Sequence, residues 1–242
     1  MSSEGRQVTL DHQKRQLAIR AALGRELTSL WRTKFNPDEI ASSAELFAGD
    51  AIPVLEHFKR RSAEEGAEYF KTYREVAGPG PRRARPQSDV DGRRVKHSLG
   101  YAARIVPLKA IRNGSTPQQA ASAGLQHSLG TAGRLAKEGS WDTLMNAMEE
   151  DMFSRGWQRV TGADPCDFCA MLSARGGTYS KATVAFEAHN WCQCEAEPVY
   201  SRERWLSPEQ QELKELYDRY AKGKRHPLRA FRAERAAQSR AS

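Results

Sequence analysis

The chain has 242 residues, with 38 Lys and Arg against 30 Asp and Glu, a formal charge of +8 and a mean hydropathy of −0.72. Only 39 % of it is hydrophobic, which predicts extended helices and polar ends around one good core or two modest ones. The amino terminus lacks a cationic-then-apolar signal pattern, and no apolar run reaches the ~18 residues of a membrane span. These features predict a soluble protein made in the cytoplasm, with no membrane partner, and the basic balance favours polyanionic neighbours.

Residues 8–31 place Ile19, Leu23, Leu27 and Leu30 or Trp31 at steps of three and four, the apolar face of an amphipathic helix. Asn36, Pro37 and Glu39 read as N-cap, first-turn proline and capping-box partner of a second helix, which Gly49 and Asp50 end. From Ile52 to Val76, Leu55, Phe58, Ala63, Ala67, Phe70 and Tyr73 keep a helical period, so three antiparallel helices are expected in residues 1–77. The prolines and glycines that follow Ala77, with Arg82, Arg83 and Arg85 among them, predict a solvated hinge over residues 78–90.

Val95, Leu99, Ala102 and Val106 define a further helix that Pro107 interrupts. Thr116, Pro117 and Gln119 announce the next by N-cap, N1 proline and capping box. Its face of Ala121, Leu125, Leu129, Ala132 and Leu135 is flanked by Gly124, Ser128 and Gly133, small enough to admit a close neighbour or an interface. Ser140 is expected to cap a last long helix whose Trp141, Met145, Met148 and Met152 fill core rather than hold a cofactor. Trp157–Thr161 then reads as a strand, residues 170–188 as a loop and short helix, and Cys192–Tyr200 as the return strand with Pro198 marking an edge.

All four cysteines fall within 29 positions, after 165 residues that contain none. Cys166 and Cys169 form a Cys-x-x-Cys pair, and His189, Cys192 and Cys194 supply a second cluster about twenty residues on, the ligand logic of a structural zinc site. Five candidates compete for four places. A strand over 191–197 would put Cys192 and Cys194 on one face and leave His189 to support them; a helix ending at His189 would let it displace one of them. Disulfides or unbound thiols are the alternatives. A catalytic zinc of the deaminase kind needs an upstream His-x-Glu, whereas His57, His97 and His127 are followed two residues later by Lys59, Leu99 and Leu129.

Ser207, Pro208 and Gln210 open a helix carrying Leu213, Leu216, Tyr217 and Tyr220. From Ala221 onward, Lys222, Lys224, Arg225, Arg229, Arg232, Arg235 and Arg240 face Glu234 alone, a tail expected to be disordered until it meets an acidic surface such as DNA phosphate. The reading is thus a mainly α chain with a small α+β zinc-stapled module and an elongated helical amino-terminal half. Its expected divisions are a helical region at 1–77, the linker at 78–90, the helical and zinc-binding module at 91–205 and a carboxy-terminal helix with a basic tail at 206–242.

The order Trp157, Arg159, Pro165-Cys166-Asp167-Phe168-Cys169-Ala170-Met171, Arg175-Gly176, Tyr179, His189-x-x-Cys192-x-Cys194 and Pro198-Val199-Tyr200 resembles the carboxy-terminal module of MuF-like minor head proteins of tailed bacteriophages, in particular the actinobacteriophage type. The resemblance covers residues 91–205. It implies a minor capsid or head morphogenesis protein, present in few copies in the virion interior, with the portal protein and inner capsid or scaffold proteins as partners and non-specific contact with packaged DNA. Relatives carry a capsid maturation protease label. That makes a head protease the alternative, along with a metal-dependent nuclease in which His189 and Asn190 act on a phosphodiester.

Overall fold

The computed structural model describes residues 3–162, 164–175, 179, 186, 188–201 and 206–241. Their elements in chain order are α1 (Ser3–Lys34), α2 (Ile40–Ala77), α3 (Gly92–Arg112), α4 (Pro117–Glu150), β1 (Trp157–Val160), α5 (Asp167–Ala174), β2 (Glu195–Pro198), α6 (Pro208–Tyr220) and α7 (Pro227–Ala241). The chain is mainly helical with, among the described residues, one two-stranded sheet, as its sequence pattern predicts. At 1.5 Å per residue α1 and α2 are about 48 and 57 Å long, which gives the amino-terminal half its elongated form.

The first four helices share a core in which Leu23, Leu27 and Trp31 of α1 meet Phe47, Leu55 and Phe58 of α2, Val95 and Leu99 of α3, and Leu135 of α4. The α2–α4 crossing is close because it is lined by small residues. A Cβ on Gly66 would lie 2.9 Å from the Cα of Ser140, and one on Gly139 would press into the Lys59 backbone carbonyl. A second core gathers Tyr69, Phe70 and Tyr73 of α2, Leu144 and Met148 of α4, and Trp157 and Ala196 of the strands.

Three expected helix boundaries, two stops and one start, fall inside continuous helices. Gly49 and Asp50 lie within a single continuous α2, so residues 1–77 hold two helices rather than three. Pro53 withdraws one donor there, and the burial of Phe47, Ala48, Ala51 and Leu55 on both sides outweighs that loss. Pro107 sits inside α3 with its ring seated on α4, where a Cβ on Gly124 would meet it at 2.6 Å. Ser140 caps nothing: it lies mid-helix in α4, fully buried, its hydroxyl 3.1 Å from His12 Nε2. Asn36 likewise turns its side chain to the Asp38 N–H at 3.0 Å, and α2 starts at Ile40 behind Glu39 with no side-chain cap bond.

The caps at Thr116 and Ser207 match expectation, each with both hydrogen bonds of a capping box. β1 and β2 pair antiparallel with Trp157 opposite Pro198 and Val160 opposite Glu195. Within the loop expected over 170–188, α5 runs to Ala174 and Tyr179 exchanges two backbone hydrogen bonds with Trp157; residues 176–178, 180–185 and 187 lie outside the described residues.

The segment between α2 and α3 carries no helix or strand, yet it is strapped to the bundle rather than free to swing. Lys59 Nζ donates to the Asp89 carbonyl at 2.7 Å, the Gln87 N–H to Thr143 Oγ1 at 2.8 Å, and Arg82 to the Glu150 carbonyl at 3.2 Å. Nor is the basic tail disordered: α7 packs on α5 and α6 through Phe231, which is fully buried beside Met171, Ala174 and Leu216.

Two outcomes test this packing. Gly139→Ala is expected to destabilise the fold by about 1–3 kcal/mol through overpacking, while Gly24→Ala, with open space at its Cβ, is neutral or stabilising; urea denaturation of both reads the difference. At the other end of α2, Arg74 grips Asp151 through two hydrogen bonds of 2.7 and 3.2 Å. Burial pushes the Asp151 carboxyl up, but the bonds from Arg74 and the Phe153 N–H outweigh it and hold the group below its ordinary 3.8. A depressed folded value means stability present above the unfolded value and lost as pH falls through the folded one. Asp151→Asn should therefore flatten the acid limb of stability against pH below about 4, and an unchanged limb would show the pair contributes nothing there.

Candidate metal centre

Cys166 and Cys169 come together because α5 starts between them. Cys166 is the N-cap, its sulfur accepting from the Cys169 N–H at 3.4 Å, and Cys169 follows on the first turn. His189 Nε2 stands 2.9 Å from Cys166 Sγ and 3.4 Å from Cys169 Sγ. Its Nδ1 is 2.6 Å from the Asn190 carbonyl, which can only accept. Nδ1–H donates to that carbonyl, which leaves Nε2 as the ring nitrogen facing the sulfurs, the one a metal would take.

Cys169 Sγ is also 3.8 Å from Cys192 Sγ, and the donor atoms of Cys169, Cys192 and Cys194 lie within 4.8 Å of one another. Cys166, Cys169 and His189 form a second such triplet, and Cys169 belongs to both. The four cysteines are free thiols, Cys166 exposed and the others buried. Hydrogen bonding with Cys169 and Cys194 holds the Cys192 thiol well below the ordinary range, and hydrogen bonding with Cys192 pushes Cys169 up. Soft sulfurs and one oriented imidazole nitrogen, converging from two segments, can hold a metal ion.

The second segment reaches the cluster differently from the expected strand. β2 begins at Glu195, and residues 192–194 have no regular structure. Trp191 takes a positive φ of 69°, a conformation that costs a non-glycine residue about 1 kcal/mol. Docking on α4 offsets that cost. A Cβ on Gly130 would lie 2.5 Å from the indole nitrogen, and the Arg20 guanidinium stacks 4.3 Å from the indole. Asn190 donates to Thr131 Oγ1 at 3.0 Å and accepts from Arg134 at 3.2 Å, while Lys137 and Trp141 both donate to the Cys194 carbonyl. Thr131, Arg134, Lys137 and Trp141 are spaced by three, three and four, one face of a helix, a signal that apolar periodicity passes over.

Behind the sulfurs lies a charged layer that sequence reasoning missed. Glu195 and Glu197 project from one face of β2 and are 0 % and 1 % exposed. Glu195 pairs with Lys137 Nζ at 2.6 Å and lies 3.7 Å from His12 Nε2. Glu197 accepts from Arg6 Nε at 3.1 Å and Arg6 Nη2 at 3.2 Å, Thr9 Oγ1 at 2.7 Å and Gln158 Nε2 at 2.6 Å. The amino-terminal half of α1 thus buries Arg6, Thr9, Gln13 and Gln16, a polar stripe at steps of three and four that continues into Ile19, Leu23 and Leu27. Its signal is helical spacing of hydrogen-bonding rather than apolar side chains.

Of the candidate nucleic-acid residues, Arg232 and Arg235 are drawn onto Asp167, at 2.9 and 3.0 Å, and Lys222 pairs with Asp218. Lys224, Arg225 and Arg229 are exposed.

Because Cys169 serves both triplets, Cys169→Ser is expected to abolish metal retention. Replacing His189, Cys192 and Cys194 one at a time should find one substitution that leaves it intact, since five donors exceed four corners. Metal analysis of protein purified under reducing conditions reads both; a metal-free wild type with Cys169 and Cys192 joined as a disulfide would overturn the metal centre.

No curated protein and no solved structure matches this chain. The family model described as VG15 protein matches residues 5–223, a span that takes in the four-helix bundle, both strands, α5, α6 and all five candidate ligands. The chain therefore belongs to the VG15 protein family, a family of phage proteins.

Proposed function

We propose that this phage protein is a minor head protein of the MuF-like kind, a minor capsid or head morphogenesis component with a zinc-stapled core, bound at the portal or inner capsid surface and in contact with packaged DNA. The observation that carries the reading is the Cys and His cluster itself: the motif on which the resemblance rests folds into a convergent donor set. Zinc is the metal that suits it, since tetrahedral coordination with Zn–S near 2.3 Å sets sulfurs ~3.8 Å apart, close to the 3.8 Å between Cys169 and Cys192. A zinc so held joins α5 to the 189–194 segment, stiffening a small module against a long bundle. That is a structural role, suited to a component that must keep its shape inside a crowded particle.

The enzymatic alternatives draw less support from the same geometry. A serine protease needs a Ser–His pair open to a peptide, and the Ser140–His12 contact has both residues at 0 % exposure. A nuclease using His189 needs a free ring nitrogen, and here Nδ1 is spent on the Asn190 carbonyl and Nε2 faces two sulfurs. The test is mass spectrometry of purified heads and procapsids of the parent phage, with pull-down of the portal protein by the tagged chain. Substoichiometric peptides of this protein in the particles and portal capture are expected; their absence from both overturns the reading.

A further inference from the structure

From Gly92 to Lys137 the chain runs 46 residues with eight Lys or Arg and no Asp or Glu, although acidic residues number 30 in the 242. This stretch folds as α3, the turn at 113–116 and the first part of α4, and acidic side chains reach it from outside, among them Glu138, on Arg94, and Glu45, on Lys96 and at longer range on Arg104. α3 packs on α2 and α4 through Val95, Leu99, Ala102, Ala103 and Pro107. At 100° per residue, Arg93, His97, Tyr101, Arg104 and Arg112 fall on the opposite face, and all five are exposed. Arg94 and Lys96 are already engaged, by Glu138 and Glu45. Arg93, Arg104 and Arg112 form no ion pair among the described residues, and they span about 28 Å of helix. The turn and α4 add exposed neutral donors in Asn113, Gln118, Ser122, Gln126 and His127.

We propose that this outer face of α3, with its turn into α4, binds the phosphate backbone of duplex DNA without reading sequence. The proposal rests on the reading of the protein as a head component that touches packaged DNA, and it names the surface. Guanidinium groups meet phosphate oxygens bidentately, and Asn, Gln, Ser and Tyr are the neutral side chains that complete backbone contacts. A protein partner would be anchored by clustered aromatic and apolar side chains, whereas the large exposed apolar groups on α3 are Tyr101 and Ile111. A row of cations along one helix instead matches a continuous line of charge, and DNA carries one per ~1.7 Å of axis. The carboxy-terminal helices are the poorer platform. Glu209, Glu212, Glu215 and Asp218 interleave α6, and Arg232 and Arg235 of α7 already hold Asp167.

The experiment uses the full chain and a fluorescein-labelled 30-base-pair duplex, with anisotropy followed across a KCl series. The triple variant Arg93→Gln, Arg104→Gln, Arg112→Gln is expected to weaken binding at least tenfold at low salt and to reduce the slope of log affinity against log salt by about 2 to 3, near one per lost phosphate contact. Its thermal midpoint should match wild type, since all three side chains are exposed; Arg104→Glu alone, expected to cut affinity severalfold, carries the test should the triple fail to fold. A second variant, Lys224→Gln, Arg225→Gln, Arg229→Gln, should change the slope less. Loss of binding in this tail variant with the α3 triple unchanged overturns the α3 surface and leaves the DNA-contacting reading standing. Wild type that ignores duplex even at low salt overturns both. Poly-glutamate competing as well as DNA at equal charge would assign the face to an acidic protein segment and overturn the nucleic-acid assignment.

Discussion

Two carboxylates leave water together when β2 packs on the bundle, and much of the structure exists to answer them. Glu195 and Glu197 are on the same strand face, at 0 % and 1 % exposure, and a buried charge without a partner costs several kcal/mol. Lys137 of α4 answers the first, and Arg6 of α1 with Thr9 and Gln158 answers the second. A slip of one residue in the β1–β2 pairing would turn Ala196 toward α1 and strand both carboxylates elsewhere, so the charges fix the register as well as the position of the sheet. Replacing such a layer by apolar residues need not cost stability; what it would remove is the penalty against every other alignment.

The same requirement explains why the first sixteen residues of α1 defeat a reading based on apolar periodicity. The buried stripe runs unbroken from Arg6 to Trp31, but its first half is written in Arg, Thr, His and Gln because it faces charge, and its second half in Ile, Leu and Trp because it faces the helical core. The apolar half, the capping boxes at Thr116 and Ser207, strand β1 and the convergence of the cysteines were all legible, since each rests on contacts close in sequence or on side chains whose chemistry has few other uses. Gly49, Pro107 and Ser140 misled because each is a local signal that a distant partner overrules. Pro107 has Gly124 beneath its ring, and the Ser140 hydroxyl shares a hydrogen bond with His12, 128 residues away. The carboxy-terminal helix was hidden for a similar reason: a run of cations looks solvated until one aspartate, Asp167, and one buried aromatic, Phe231, are seen to hold it.

The position of the sulfur cluster gives it mechanical leverage. Cys166 and Cys169 ride on the first turn of α5, the element that α6 and α7 pack against, whereas the segment carrying Cys192 and Cys194 is pinned to α4 by Thr131, Arg134, Lys137 and Trp141. Apart from the cluster, the carboxy-terminal helices reach the bundle through polar contacts such as Arg6 to Gln210 at 2.8 Å and through β1. A metal shared by the two segments would therefore add a strong bond across the seam between the bundle and the carboxy-terminal helices. Metal binding free energy in such loop-built sites is folding free energy. It would act here on the strands and α5–α7, while the bundle keeps the core built by α1–α4. Lys137 joins these levels, since one ammonium donates to the Cys194 carbonyl and pairs with Glu195, so the charge that answers the buried strand also seats the second half of the sulfur cluster.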